Sequence, residues 1–235
     1  MCTVTFIPKK DTDFIFTSSR DVPYSRANAL FPKEYSTANN KLTFPKDPQG
    51  SGTWIGISNH KRLVCLLNGG FKNHKPKGNY RKSRGLIVKE LLASPNNSFE
   101  DLKTIPLENI EPFTIIVVTW HNDNIQLMEL VWTGKVRFVS ILDENKKHIW
   151  SSATLYDEKM KTLRESWFAN WKLETAEEVL DFHYNAGITD RNTAVLMDRK
   201  TVGTVSISQI YKAEKYLKFY YEDIKSGKKD KCIIN

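Results

Sequence analysis

Apolar and polar residues alternate along much of the chain, and this period of two is typical of β-strands with one buried face. The longest apolar stretch, residues 113–120, is only as long as a strand. Alternation and β-branched residues predict strands over residues 2–7, 14–17, 54–58, 63–67, 113–120, 125–132, 136–142, 193–198, 202–208 and 215–221. Short polar connectors divide the stretch between residues 113 and 142, so we expect its three strands to form a meander.

Four other segments carry apolar residues at helical spacing and predict helices over residues 83–93, 98–104, 157–171 and 176–185. Ser98 with Asp101 resembles a capping box for the second helix, and Thr175 is the predicted N-cap of the fourth. We interpret the aromatic residues at 167, 168 and 171 as core packing. Because strands and helices do not alternate regularly, we predict an α+β layered fold with antiparallel sheets, in a single domain over residues 1–235.

The composition is that of an ordinary globular chain, with 40% hydrophobic and 26% charged residues among 235. No apolar run approaches the roughly 20 residues that a membrane-spanning helix needs. Lys9, Lys10 and Asp11 interrupt the start of the chain too early for a secretory signal. We therefore expect a cytoplasmic protein without a membrane span.

The formal net charge is +8, and basic residues are concentrated in residues 72–84 and 225–231. Such runs are usually solvated loops and tails, and no zinc-finger or RNA-binding aromatic motif accompanies them. We do not expect a nucleic-acid partner, whereas an anionic small molecule is compatible with the charge.

The three cysteines, at positions 2, 65 and 232, are too widely spaced for a CxxC metal motif and give no disulfide framework. Cys65 alternates with apolar neighbours and is expected to be a buried small hydrophobe. The five histidines lack metal-ligand spacing, so we predict neither a metal nor a cofactor.

Cys2 directly follows the initiator methionine, and removal of Met1 would leave it as the amino-terminal residue. A terminal cysteine carries both a thiol nucleophile and an α-amine that titrates near neutrality and can act as its general base. The alternative is an incidental cysteine at the start of an edge strand.

The neighbouring sequence adds charged groups to this candidate nucleophile. If residues 2–7 and 14–19 form a hairpin, paired positions sum to about 21 and Cys2 lies opposite Ser19. Arg20 would then favour the thiolate, and Asp21 would accept a hydrogen bond from the terminal amine. The alternative is an exposed Arg-Asp turn.

The predicted strand at residues 63–67 is followed by Asn68-Gly69-Gly70. Asn68 offers an amide donor on a backbone that can approach a ligand closely, as an oxyanion hole requires. A simple turn, for which asparagine and glycine are the favoured residues, is the alternative.

These residues together resemble the NRDE family, also called the transport and Golgi organisation 2 family, within the N-terminal-nucleophile hydrolases. The matching pieces lie in the family's order and cover most of the chain. They are Met1-Cys2, Ser19-Arg20-Asp21, Tyr24-Ser25-Arg26, Gly52-Thr53-Trp54-Ile55-Gly56-Ile57, Asn68, Arg81-Lys82-Ser83-Arg84-Gly85, Trp150-Ser151-Ser152-Ala153-Thr154-Leu155 and Arg191-Asn192-Thr193.

The resemblance implies a four-layer αββα sandwich with two antiparallel sheets. It also implies that Cys2 attacks, that Arg20 and Asp21 support it, that Asn68 contributes to the oxyanion hole, and that Arg191 adds a late-chain arginine. The family tetrapeptide Asn-Arg-Asp-Glu departs at its two ends, where this chain has Ser19 and Val22. A third departure is Ser152, since many relatives have an asparagine there that positions the terminal amine.

Two functions of different classes follow. The leading hypothesis is a cysteine amidohydrolase or acyltransferase that acts on a non-peptide amide through a thioester at Cys2. The alternative is a non-enzymatic binding or trafficking protein for a haem-like small molecule on the same scaffold. The expected partner is a small amide or acyl substrate, while substrate identity and oligomeric state stay open.

Overall fold

The computed structural model describes residues 2–37, 39–121, 124–214 and 216–234. In chain order the strands are β1 Cys2–Pro8, β2 Phe14–Pro23, β3 Leu30–Ser36, β4 Lys41–Lys46, β5 Ile55–Ser58, β6 Arg62–Asn68, β7 Phe113–His121, β8 Asn124–Trp132, β9 Arg137–Leu142, β10 His148–Ser151, β11 Val202–Ala213, β12 Tyr216–Asp223 and β13 Lys229–Ile234. The helices are α1 Arg84–Ala93, α2 Ser98–Thr104, α3 Glu158–Asn170 and α4 Ala176–Asn185.

The described chain divides into two compact units. The first comprises the described residues of Met1–Arg26, Asn145–Ser151 and Leu155–Asn235, and the second comprises those of Ala27–Glu144 and Ser152–Thr154. Each unit contains one antiparallel sheet. The prediction of antiparallel sheets is thereby confirmed, and the single domain over residues 1–235 stays a prediction.

The first unit contains a six-stranded sheet in the order β10-β1-β2-β11-β12-β13. The predicted hairpin of β1 and β2 lies inside this sheet, because β10 pairs with β1 and β11 pairs with β2. One interpretation of the sequence placed Cys2 at the start of an edge strand. That interpretation is wrong, because β1 has a paired strand on each side. Both neighbours of the hairpin join it from distant parts of the chain.

The apolar core of this unit joins the hairpin to α3 and α4. Ile7 and Ile15 form a cluster with Phe168 and Phe182, and the side chains of Trp167 and Trp171 pack against it. This confirms that the aromatic residues of α3 serve the core. Helix α4 also begins and ends at the predicted residues. Thr175 is its N-cap and forms a capping box with Glu178.

The second unit contains a seven-stranded sheet whose order β3-β4-β5-β6-β7-β8-β9 follows the chain, and its last three strands form the predicted meander. α1 packs on β5 and β6. A Cβ at Gly56 would lie 2.7 Å from the Cδ1 of Leu92, and one at Gly52 would lie 2.3 Å from the backbone of Gly85. Glycine at these positions lets α1 approach the strands closely.

Several sequence predictions are wrong in detail. The segment 193–198 is not a strand but a series of turns, because the Asp190 carboxylate accepts hydrogen bonds from the backbone N of Asn192 (3.0 Å) and the hydroxyl of Thr193 (3.1 Å). The N-cap of α2 is Asn97 rather than Ser98, since its side chain accepts from two backbone N–H groups of the first turn. The lysine-rich tail contains a strand, β13, which the charge pattern concealed. The strands β3, β4 and β10 were also not predicted, the first two because each contains a proline.

Candidate functional site

The register of the β1–β2 hairpin places Cys2 opposite Arg20, not opposite Ser19 as the sequence predicted. Paired positions sum to 22 rather than 21, because Pro8 still pairs with Phe14 and the connecting loop begins only at Lys9. The loop is closed by a hydrogen bond from the Lys9 N to the Asp13 O (2.8 Å). A shift of one position exchanges the face on which each side chain of β2 lies.

Cys2 and Arg20 consequently share one face of the six-stranded sheet, and both are buried, with relative exposures of 1% and 4%. The pairing continues across two further strands, from Arg20 to Ser206 and from Ser206 to Asp223. The structure thus aligns a thiol, a guanidinium, a hydroxyl and a carboxylate in one row of four strands. Ser206 and Asp223 were not among the residues that the sequence singled out.

Asp21 follows Arg20 along β2, so its side chain belongs to the opposite face of the sheet. This corrects the expectation that thiol, guanidinium and carboxylate converge on one side of the hairpin. The carboxylate is fully buried and accepts two hydroxyl hydrogen bonds, from Tyr156 to Oδ2 (2.5 Å) and from Thr204 to Oδ1 (2.6 Å). Burial raises the pKa of Asp21, whereas the charge of Arg164 and the two hydroxyl donors oppose that rise.

Arg164, on α3, connects this carboxylate to the strand of Cys2. Its guanidinium carbon lies 3.6 Å from the ring centroid of Tyr156, and its Nη1 donates to the Thr3 hydroxyl (2.5 Å). Its other nitrogens donate to the backbone O of Thr193 and Ala194. The fully buried Arg164 therefore bonds the residue after Cys2 and stacks on the tyrosine that bonds Asp21.

Ser19 stands where the family motif has asparagine. Its hydroxyl lies on the face of the sheet that packs against α4, as the following contacts show. It lies 2.7 Å from the Nδ1 of His183, whose Nε2 lies 2.9 Å from the Thr5 hydroxyl. Burial, followed by the positive charge of Arg164, lowers the pKa of His183 to about 3. The imidazole is therefore neutral at physiological pH and bridges β1 and β2 through their hydroxyls.

In the second unit, Asn68 ends β6 and is followed by Gly69 in the left-handed region, with φ of 87°. The Ser152 hydroxyl donates to the backbone O of Asn68 (2.7 Å), and the Gly69 N donates to the Pro112 O (3.0 Å). A Cβ at Gly69 would also lie 2.9 Å from the Cγ2 of Thr154. Ser152, at the third departure from the family pattern, thus holds the backbone O of the candidate oxyanion donor, and Pro112 holds the N of the residue after it.

Arg191 lies in the loop between α4 and β11, where it is exposed. Its backbone O accepts a hydrogen bond from the Asp198 N (2.9 Å), and Asp198 in turn accepts from the Tyr24 hydroxyl (2.5 Å). Of the five residues that the sequence proposed, the structure brings together Cys2 and Arg20. It places Asp21 on the other face of the same strand, Arg191 in a loop of the same unit, and Asn68 in the second unit.

Sequence reasoning missed Tyr156, Arg164, His183 and Thr204. One signal was available for Arg164, which lies four positions after Met160 and four before Phe168, inside the apolar stripe of its helix. A charged residue in such a stripe has to be buried with partners. Thr204 has no comparable signal, because a threonine in a strand is ordinary.

Across the residues that the structure describes, no group of three or more His, Cys, Asp and Glu side chains is arranged to hold a metal ion. The described helices include none with both the length and the apolar character needed to cross a membrane. The state of Met1, on which the chemistry of Cys2 depends, lies outside the described residues.

Three solved structures resemble this one in fold. An N-acylethanolamine-hydrolyzing acid amidase (NAAA) ortholog from Caenorhabditis elegans matches with a TM-score of 0.63 and 9% identity, over 100% of both chains. Penicillin V acylase from Agrobacterium tumefaciens matches with a TM-score of 0.61 and 11% identity, over 100% of this chain and 86% of that one. The mutant C2A conjugated bile acid hydrolase from Clostridium perfringens matches with a TM-score of 0.57 and 11% identity, over 100% and 93%.

This likeness confirms the α+β fold of the N-terminal-nucleophile hydrolases that the sequence implied. A comparison with curated protein sequences returns no match. The family model described as Transport and Golgi organisation 2 matches residues 1–232. The chain therefore belongs to the Transport and Golgi organisation 2 family.

Proposed function

We propose that this protein is a cysteine amidohydrolase or acyltransferase that cleaves a non-peptide amide through a thioester at Cys2, after removal of Met1. The observation that carries the proposal is the pairing of Cys2 with Arg20 on one buried face of the sheet. The names of the three similar structures, an amidase, an acylase and a hydrolase, support chemistry on amide bonds.

The reaction begins with transfer of the thiol proton of Cys2 to its own α-amine. The thiolate then attacks the carbonyl carbon of the amide, and the carbonyl oxygen takes the negative charge in a tetrahedral intermediate. As the C–N bond breaks, the α-ammonium returns its proton to the leaving amine. Water, or a second amine, attacks the thioester with the α-amine as base, and the acyl group leaves as an acid or a new amide.

Arg20 is assigned the role of favouring the thiolate, because its guanidinium shares the face of Cys2. Asp21 is assigned a positioning role, because Tyr156 and Thr204 hold its carboxylate on the other face of the sheet. On the resemblance alone, Asn68 is the proposed oxyanion donor and Arg191 a proposed additional arginine.

The proposal is tested by intact-mass measurement of the purified protein before and after incubation with an electrophilic amide probe. We expect loss of the Met1 mass, one adduct on the wild-type chain, and no adduct on Cys2→Ala. The chain offers two matched controls, Cys65→Ala and Cys232→Ala, which remove the other free cysteines and should label like the wild type. An adduct that persists on Cys2→Ala, or a chain that keeps Met1, would overturn the mechanism.

A further inference from the structure

An exposed apolar surface in the second unit lies beside a row of lysines that the proposed chemistry does not use. Phe71, Val136 and Phe138 have relative exposures of 52%, 52% and 45%. The rings of Phe71 and Phe138 are in edge-to-face contact, with centroids 5.1 Å apart. Val136 lies two positions before Phe138, and alternate residues of an extended segment share a side. The three side chains therefore form one contiguous apolar patch.

Two loops meet to form this patch. A Cβ at Gly70 would lie 3.0 Å from the Trp132 O, and one at Gly134 would lie 3.2 Å from the Cγ of Pro112. The Gly69 N donates to the backbone O of the same proline. The loop that carries Phe71 is thus packed against the β8–β9 turn, which fixes the position of the patch.

The lysines flank the patch in both loops. Lys72, Lys75 and Lys77 follow Phe71, Lys135 precedes Val136, and all four are exposed. Two carboxylates of this unit already face other cations, since Glu111 pairs with Arg84 (2.9 Å) and Glu108 interacts with Arg137. We call the three apolar residues and these four lysines the Phe71 surface.

We propose that the Phe71 surface binds the surface of a membrane that contains anionic phospholipids. Lysines attract a negatively charged leaflet, and exposed aromatic and aliphatic side chains insert at the boundary of headgroups and acyl chains. Joined apolar patches on an exposed surface often mark binding sites. A single-stranded nucleic acid would use the same charge and stack bases on exposed rings, but it leaves the aliphatic side chain of Val136 without a partner.

The experiment is co-sedimentation of the full chain with vesicles of equal parts phosphatidylcholine and phosphatidylserine, compared with phosphatidylcholine alone. We expect binding to the mixed vesicles that weakens with added salt. Lys72→Gln, Lys75→Gln and Lys77→Gln combined should lower the affinity on the order of a hundredfold, at roughly fivefold for each lysine. Phe71→Ser with Phe138→Ser should lower it by roughly tenfold or more, because two inserted rings are lost.

Matched controls lie in the first unit. Lys200, Lys225 and Lys228 are also exposed, and their combined change to Gln should leave vesicle binding within about twofold. Tyr216→Ser removes an equally exposed aromatic side chain, 58% exposed, and should have no effect. Circular dichroism checks that each variant is folded.

Three results would overturn the proposal: equal binding to both kinds of vesicle, equal losses in the control variants, or no binding at low salt. Tight binding to a DNA or RNA oligonucleotide that survives the phenylalanine changes, together with no vesicle binding, would identify a nucleic-acid surface instead. Because the test does not depend on Cys2, its outcome is independent of the proposed amide chemistry.

Discussion

Arg62 in the second unit and Arg164 in the first are both almost completely buried, and the two are held in different ways. Arg62, in the second unit, donates from Nη1 to the carboxylate of Asp101 (2.9 Å), and from its two terminal nitrogens to the backbone O of Leu91 and Asn96. Arg164, in the first unit, donates to a hydroxyl and two carbonyl groups and stacks on a phenol ring. The charge of Arg62 is thus neutralised directly by Asp101. Tyr156 lies between Arg164 and its carboxylate, that of Asp21.

This difference gives Arg62 a structural role and connects Arg164 to the proposed site around Cys2. Asp101 also accepts from the Ser94 hydroxyl (3.0 Å), so the Arg62 pair ties together the end of α1, the following loop and α2. Arg164 instead influences the pKa of Asp21, which lies on the hairpin of Cys2, and of His183, whose hydroxyl partners lie on that hairpin. The positive charge of a buried arginine that is not paired directly with a carboxylate shifts the pKa values of neighbouring titratable groups.

The largest expected effect breaks the direct pair. Asp101→Ala leaves the Arg62 charge buried without its carboxylate and should lower the free energy of unfolding by about 3–5 kcal/mol. Urea denaturation measures this loss, with Asp101→Asn as the milder control that keeps the size of the side chain. The rate of Cys2 labelling per folded molecule should not change, and a change would remove the distinction between the two arginines.

A smaller effect is expected for Tyr156→Phe, which deletes only the hydroxyl between Arg164 and Asp21. Loss of a hydrogen bond to a charged group costs about 1.5–3 kcal/mol, so urea denaturation at neutral pH should show a deficit of that size. Cys2 labelling should slow as well, because the residue after Arg20 loses its fixed position. Tyr24→Phe, which removes an exposed hydroxyl bonded to Asp198, is the matched control and should label normally.

The stability deficit of Tyr156→Phe should change with pH in one direction. The pKa of Asp21 is raised above its ordinary value of 3.8, so the folded state keeps the proton to a higher pH than the unfolded state. Stability from this group is complete below that value and is lost as pH rises through the folded pKa. Tyr156→Phe raises the pKa further, so its deficit relative to the wild type should grow from acid towards neutral pH. A deficit that is constant with pH would show that the hydroxyl does not act on the carboxylate.

The effect that is smallest at neutral pH, and grows only in acid, concerns His183, whose pKa is lowered by burial and then by the charge of Arg164. Its folded pKa of about 3 lies below the ordinary 6.5, so the unfolded state binds a proton first as pH falls. Its contribution to stability is complete above about pH 6.5 and declines by about 1.4 kcal/mol for each pH unit down to about pH 3. His183→Gln should remove this dependence while keeping a hydrogen-bonding side chain. Parallel stability curves of wild type and variant between these pH values would contradict the assignment.

Local rules accounted for most of the elements. The two-residue period located β1, β2 and β7 to β9, and capping chemistry located α4 to the residue. Two of the strands that were not predicted have a weak local signal: β13 is rich in lysine, and β10 has only four residues. Pairing of β10 with the distant strand β1, and of β13 with the preceding strand β12, stabilises both of them despite weak local preference.

The candidate site was less accessible to sequence reasoning because its geometry depends on one-residue precision. Placing the start of the loop at Pro8 instead of Lys9 shifted the register by one and put Cys2 opposite Ser19 instead of Arg20. The partners of Asp21 come from α3 and β11 and from the segment before α3, so their hydroxyls could not be anticipated from neighbours in the chain.

The pairing of β2 with β11 has a consequence for the order of folding. A side-chain hydrogen bond between them, from Gln209 to Thr17, closes a separation of 192 residues that contains the whole sheet of the second unit. During synthesis at roughly 5–20 residues per second, β2, the hairpin partner of the strand of Cys2, waits on the order of ten seconds or longer for β11 to leave the ribosome. The second unit, whose strands pair in chain order, has no such delay. The hairpin that carries the nucleophile thus gains its full set of partners only after nearly all of the polypeptide has been made.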